Sequence, residues 1–76
     1  MLYLYLHDDC SLCDAAIGLL ATVRAPDFES VWIEGDPALE MRYGTRVPVL
    51  RDGESGRELG WPFDGGRLRR WLDGED

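Results

Sequence analysis

Residues 5–20 read YLHDDCSLCDAAIGLL, and this stretch contains the only histidine and both cysteines of the chain. An apolar and aromatic run, Leu2 to Leu6, stops at the polar cluster His7-Asp8-Asp9. That is the pattern of a buried strand. From Ser11 onward the period changes. Leu12, Ala16, Leu19, Leu20 and Val23 fall at i, i+4, i+7, i+8 and i+11, the apolar stripe of an amphipathic helix. Asp8 and Asp9 suit its start, where carboxylates meet unpaired N–H groups and the positive end of the helix dipole. Pro26 is expected to end it. Cys10 and Cys13 thus sit where a strand turns into a helix.

The rest of the chain extends this unit. Residues 28–34, with Val31-Trp32-Ile33, predict a second strand, joined to the first in parallel by a right-handed crossover. Asp36 as N-cap, Pro37 in the first turn and Gly44 as the residue after the end bound a short second helix. Residues 47–51 and 57–61 predict a hairpin around a turn at 52–56. Asp64 caps a final helix whose buried face is Leu68, Trp71 and Leu72; Gly65 and Gly66 weaken its first turn, and residues 74–76 are expected to fray. The order is β-α-β-α-β-β-α. The expected fold is an α/β sandwich, a four-stranded mixed sheet with helices on both faces, in one domain over residues 1–76.

At 76 residues the chain is near the lower limit for a self-sufficient core. A bridge between Cys10 and Cys13 would close too short a loop to be the main structural support. With eight Arg, no Lys and fifteen acids the net charge is −7, which argues against nucleic-acid binding. The N-terminus has neither the basic start of a signal peptide nor the length of a membrane span. A cytoplasmic location is expected, where thiols are kept reduced and an oxidised pair is transient and catalytic.

Two cysteines three residues apart on a helix are neighbours, near enough to bridge. Cys10 comes first, where unpaired backbone N–H groups can receive a thiolate; Cys13 is one turn deeper. The expected roles are Cys10 as nucleophile and Cys13 as resolving thiol, since a helix N-terminus lowers a thiol pKa. Asp8, Asp9 and Asp14 oppose that effect by like-charge repulsion. Cys10 is therefore expected to titrate near a free thiol, at roughly 8, and the pair to be reducing, nearer ~−270 mV than ~−120 mV.

On these residues the chain resembles the glutaredoxins of the thioredoxin-fold superfamily, and more closely a group of short bacterial glutaredoxin-like proteins. YLHDDCSLCDAAIGLL is similar to their strand–CxxC–helix unit, DPALEMRYGTRVPVL to the segment leading into a cis-proline, and ELGWPFDGGRLRRWL to the closing strand and helix. The resemblance implies a thioredoxin-like fold with the Val47-Pro48 bond in cis, opposite the cysteines. It implies a thiol–disulfide oxidoreductase that reduces protein or glutathione mixed disulfides. Substrate contacts would come from Val47 and Pro48; His7, read from its own chemistry at the substrate site, could protonate a leaving thiolate or, when charged, lower the Cys10 pKa. Gly60 and Asp64 match the pattern that holds glutathione's γ-glutamyl end, with Arg42 and Arg46 for its glycyl carboxylate. The chain departs from the family in having Ser11-Leu12 between the cysteines, His7 where a lysine is common, and Trp61 where a second glycine is usual.

No tightly bound cofactor and no metal are expected. The electron donor would be glutathione or a thioredoxin-reductase-type protein, the substrate a disulfide-bearing protein, and the state a monomer. Two other readings compete. His7, Cys10, Cys13 and Asp9 could ligate a metal or iron–sulfur cluster. Trp61 and Phe63 could instead form the docking edge of a non-catalytic adaptor.

Overall fold

The computed structural model describes residues 1–75. Three helices flank one four-stranded sheet. The chain runs β1 (Leu2–Leu6), α1 (Ser11–Thr22), β2 (Phe28–Trp32), α2 (Pro37–Tyr43), β3 (Val49–Asp52), β4 (Glu58–Gly60) and α3 (Gly65–Leu72), and the strand order is β2-β1-β3-β4. β1 and β2 pair in parallel, while β3 runs antiparallel to both β1 and β4. The parallel pair needs a helical crossover, which α1 supplies; β3 and β4 close through a short turn. The hairpin strands are shorter than the expected 47–51 and 57–61.

Strand alternation sorts the core into two layers. Leu4, Leu6, Leu50 and Leu59 project to one face, where Cys13, Ala16 and Leu20 of α1 and Leu68 and Trp71 of α3 cover them. Tyr5 and Val49 project to the other and meet Ile33 and Tyr43, with Leu39 of α2 packed alongside. Tyr5 and Tyr43 stack with ring centroids 4.3 Å apart.

Several sequence expectations are corrected at the ends of the elements. Leu12 belongs to the expected apolar stripe of α1 yet is 49% exposed. The buried face is Cys13–Ala16–Leu20, flanked by Leu19 and Val23; Leu12 shares their side of the helix, but its place in the first turn leaves it uncovered. α1 stops before Pro26. Arg24 adopts φ 54°, its N–H donates to the Ala21 carbonyl and that of Ala25 to the Leu20 carbonyl. This is a Schellman stop built without glycine. Gly44 was expected to carry a left-handed stop for α2, but it has φ −53° and continues the right-handed turn as C-cap.

The expected fraying after α3 is also corrected. Gly74 (φ 80°) donates to the Trp71 carbonyl and Glu75 to the Arg70 carbonyl, so a second Schellman motif closes the helix. Asp76 lies outside the described residues.

Candidate active site

The C-terminal end of β1 organises the site. Leu6 pairs with Trp32 of β2 on one side, and Tyr5 with Val49 of β3 on the other. Continuing that register by one residue sets Pro48 beside Leu6. The chain leaving Leu6 turns through His7, Asp8 and Asp9, then enters α1 at Cys10. The turn is held from outside, since the Asp8 N–H donates to Glu34 Oε2 at 2.7 Å. Asp9 has φ 53°, a left-handed conformation that aspartate tolerates better than most residues.

Cys10 is the N-cap of α1. Its Sγ accepts the Cys13 N–H at 3.1 Å, the bond an Asp or Ser oxygen makes at most helix starts. Asp8 and Asp9 were expected to fill this role; the sulfur takes it, because the chain enters helical geometry only after Cys10. Cys10 and Cys13 are joined in a disulfide with Cα atoms 5.2 Å apart. Cys10 is half-buried and Cys13 is 2% exposed. A reagent from solution therefore meets Cys10 first.

A shallow cleft of about 490 Å³ opens at the disulfide. Its wall includes His7, Asp8, Asp9, Asp14, Ile17 and Trp32. His7 Nδ1 lies 2.6 Å from the Asp8 carbonyl oxygen. A carbonyl can only accept, so Nδ1 carries the proton and Nε2 is the basic nitrogen.

The other expected contacts divide into two groups. Val47 packs against the same core layer as Cys10 and Trp61, and the Val47-Pro48 bond is cis. The Val47 N–H donates to the Tyr43 carbonyl and Trp61 donates to the Pro48 carbonyl. The Val47 N–H is thus taken within the fold. Gly60 pairs with Val49 at the end of β4, and Asp64 Oδ1 accepts the Arg67 N–H at 2.8 Å as the cap of α3. Trp61 and Phe63 meet edge to face at 5.0 Å, Phe63 being buried. The bond between Trp61 and Pro62 is cis as well.

Arg42 and Arg46 are engaged elsewhere. Arg42 Nη2 lies 3.4 Å from Glu58 Oε2 and Arg46 Nη2 lies 3.3 Å from Oε1, while the Tyr43 hydroxyl donates to the same carboxylate at 2.5 Å. Both guanidinium groups lie over the Tyr43 ring, at 5.3 and 5.6 Å from its centroid. Burial works against the Glu58 charge, but the hydrogen bonds from Tyr43 and Arg46 and the two guanidinium charges outweigh it and hold the carboxyl below its ordinary range. Burial, then the Glu58 carboxylate, push the Tyr43 hydroxyl up to about 12.

The metal-ligand set considered from sequence does not assemble. Among the described residues no group of three or more His, Cys, Asp or Glu is placed to hold a metal ion. Cys13 is buried, both sulfurs are spent in the disulfide, and His7 turns Nδ1 to the Asp8 carbonyl.

Sequence reasoning missed Trp32 and Ile17 as parts of the site. Trp32 has the parity of Phe28 and reads as core, but β2 is a sheet edge and the ring lies half in solvent. Glu34 was missed too, since its contact with Asp8 spans 26 residues.

A mixed sheet in this order, with a Cys-x-x-Cys disulfide opening the first helix, defines a thioredoxin-like protein. More narrowly, the chain belongs to the glutaredoxin-like domain (DUF836) family, whose model matches residues 1–73. Among solved structures it is similar to the X-ray structure of Northeast Structural Genomics target protein XcR50 from X. campestris, with 61% identity over 97% of each chain and a TM-score of 0.93. The solution structure of the same target matches at 62% identity, over 96% of this chain and 92% of that one, with a TM-score of 0.88. No curated protein matches the chain. No helix of the described residues is long and apolar enough to cross a membrane.

Proposed function

We propose that this protein is a cytoplasmic thiol–disulfide oxidoreductase that reduces protein or glutathione mixed disulfides. The observation that carries the reading is the asymmetry of the pair: Cys10 half-buried at the helix cap with the Cys13 N–H on its sulfur, and Cys13 buried one turn below. In the reduced protein that N–H is aimed at the Cys10 thiolate.

The Cys10 thiolate attacks one sulfur of a substrate disulfide, forming a mixed disulfide and releasing the other substrate sulfur as a thiolate, which takes up a proton. Cys13, losing its own proton, then attacks Cys10 Sγ, breaks the mixed disulfide and releases the second substrate thiolate, also protonated from solvent. Two electrons pass to the substrate, and Cys10–Cys13 is left oxidised. Glutathione or a thioredoxin-reductase-type donor returns the pair to the dithiol. His7 Nε2 suits proton transfer to a departing thiolate. Val47 and Pro48 would flank the bound chain, with Gly60 and Asp64 as the outer contacts. Electron transport then needs no tightly bound cofactor, and a monomer suffices.

Trapping tests this directly. Cys13→Ser should accumulate a covalent mixed disulfide with a glutathionylated peptide or a disulfide-bearing protein, visible as a mass increase released by dithiothreitol. Cys10→Ser should neither trap nor reduce. If the native protein reduces no disulfide, the adaptor reading takes its place.

A further inference from the structure

We propose that the cleft beside Cys10 takes a cationic polypeptide disulfide, one whose cysteine is flanked by Lys or Arg and by an apolar side chain, in preference to glutathione disulfide. The proposal rests on the oxidoreductase reading and names its substrate class.

Three observations carry it. First, the cleft has an apolar wall that the fold leaves open: Trp32 is 55% exposed and Ile17 38%, and both line it together with Cys10. Trp32 ends an edge strand in register with Leu6, so its ring stands beside the disulfide. Large exposed aromatics are uncommon on small soluble domains and mark contact surfaces when they cluster at a site.

Second, apart from His7, the ionisable side chains lining that cleft are all carboxylates. Its charged lining residues are Asp8, Asp9 and Asp14, all exposed, and none of the arginines lines it. The Glu34 carboxylate sits just behind, on the Asp8 N–H. A cation next to the substrate cysteine meets these carboxylates and also the face of Trp32, which attracts ammonium and guanidinium groups. Glutathione disulfide is net anionic and meets repulsion in the same place.

Third, the arginines read from sequence as glutathione's carboxylate partners share the Glu58 carboxylate and lie over Tyr43. Drawing them toward a tripeptide carboxylate would leave a partly buried Glu58 with the Tyr43 hydroxyl but without its two cations.

The test uses the intact protein, reduced beforehand and freed of reductant, in single turnover with three probes. Two are synthetic peptide dimers joined by one cystine, identical except that Lys or Glu flanks the cysteine beside a leucine; the third is glutathione disulfide. The Lys-flanked dimer is expected to react about tenfold faster than the Glu-flanked one at low salt, with glutathione disulfide slower than either. At about 1 M salt, where the Debye length is roughly 3 Å, the ratio should approach one. The double variant Asp8→Asn, Asp14→Asn should likewise bring it close to one. These substitutions also alter Cys10 itself, but that change applies to every probe and leaves the ratio untouched. Trp32→Ala should slow the Lys-flanked dimer about threefold or more. A Lys-to-Glu ratio near one in the native protein, or a ratio that survives the double variant, overturns the proposal while the oxidoreductase reading stands. Failure to reduce any probe removes that reading and the proposal with it.

Discussion

Cys10 combines two tasks that other helices give to separate residues: its sulfur caps α1 by accepting the Cys13 N–H, and it is the more accessible member of the disulfide. The donors that stabilise a thiolate are therefore part of the helix itself. Three carboxylates stand against them, Asp8 and Asp9 before the cap and Asp14 in the first turn. Like charge disfavours the thiolate, so removing it should favour ionisation. In the reduced protein, Asp8→Asn and Asp14→Asn should each lower the pH midpoint of Cys10 alkylation by iodoacetamide, by about 0.3–0.5 unit each, a few tenths of a kcal/mol per partly screened charge. An upward shift would show that the carboxylates act through something other than their charge. Asp9→Asn suits the same test because Asn also accepts the left-handed backbone of this position.

Among the elements, two junctions show where local rules yield to packing. α1 ends through Arg24 at φ 54°, a position where glycine carries no Cβ penalty. Arg24→Gly should stabilise the fold by about 0.5–1 kcal/mol, read as a higher urea midpoint with unchanged slope. The second junction ties α2 to β4 through Tyr43 and Glu58. Tyr43 is 1% exposed, so Tyr43→Phe should cost about 1.5–3 kcal/mol, as for a hydrogen bond to a charged acceptor. The same pair sets a pH dependence at each end. The hydroxyl of Tyr43 is raised from 10.0 to about 12, so its contribution is complete below pH 10 and is lost as pH rises towards 12. Glu58 is lowered from 4.5, so its contribution is complete above that value and is lost as pH falls through the folded-state pKa. Urea titrations across both ranges should show both losses in the native protein and smaller ones in the double variant Tyr43→Phe, Glu58→Gln, where Asp52, also held below its ordinary value, keeps part of the acid-side loss.

For the whole molecule, a chain of 76 residues has roughly 4–11 kcal/mol of stability to lose, at about 0.05–0.15 kcal/mol per residue. Leu20 joins α1 to the larger core layer at 1% exposure. Leu20→Ala should cost about 2–5 kcal/mol, enough to leave much of the protein unfolded at 37 °C by circular dichroism. Much of this architecture is legible in the chain. Tyr-Leu alternation in residues 2–6 announces a strand buried on both faces, the caps Asp36 and Asp64 mark two helix starts, and the Cys-x-x-Cys falls at the strand–helix boundary. Those are local signals, set by side-chain periodicity and by hydrogen bonds that close within four residues, and the sequence by itself determined them. Tertiary structure alone decided that Leu12 faces water, that Trp32 stands open at a sheet edge beside Cys10, and that Glu58 holds Arg42 and Arg46. The physical reason is range: burial and charge pairing depend on which surfaces other elements cover, and those partners lie a dozen or more residues away.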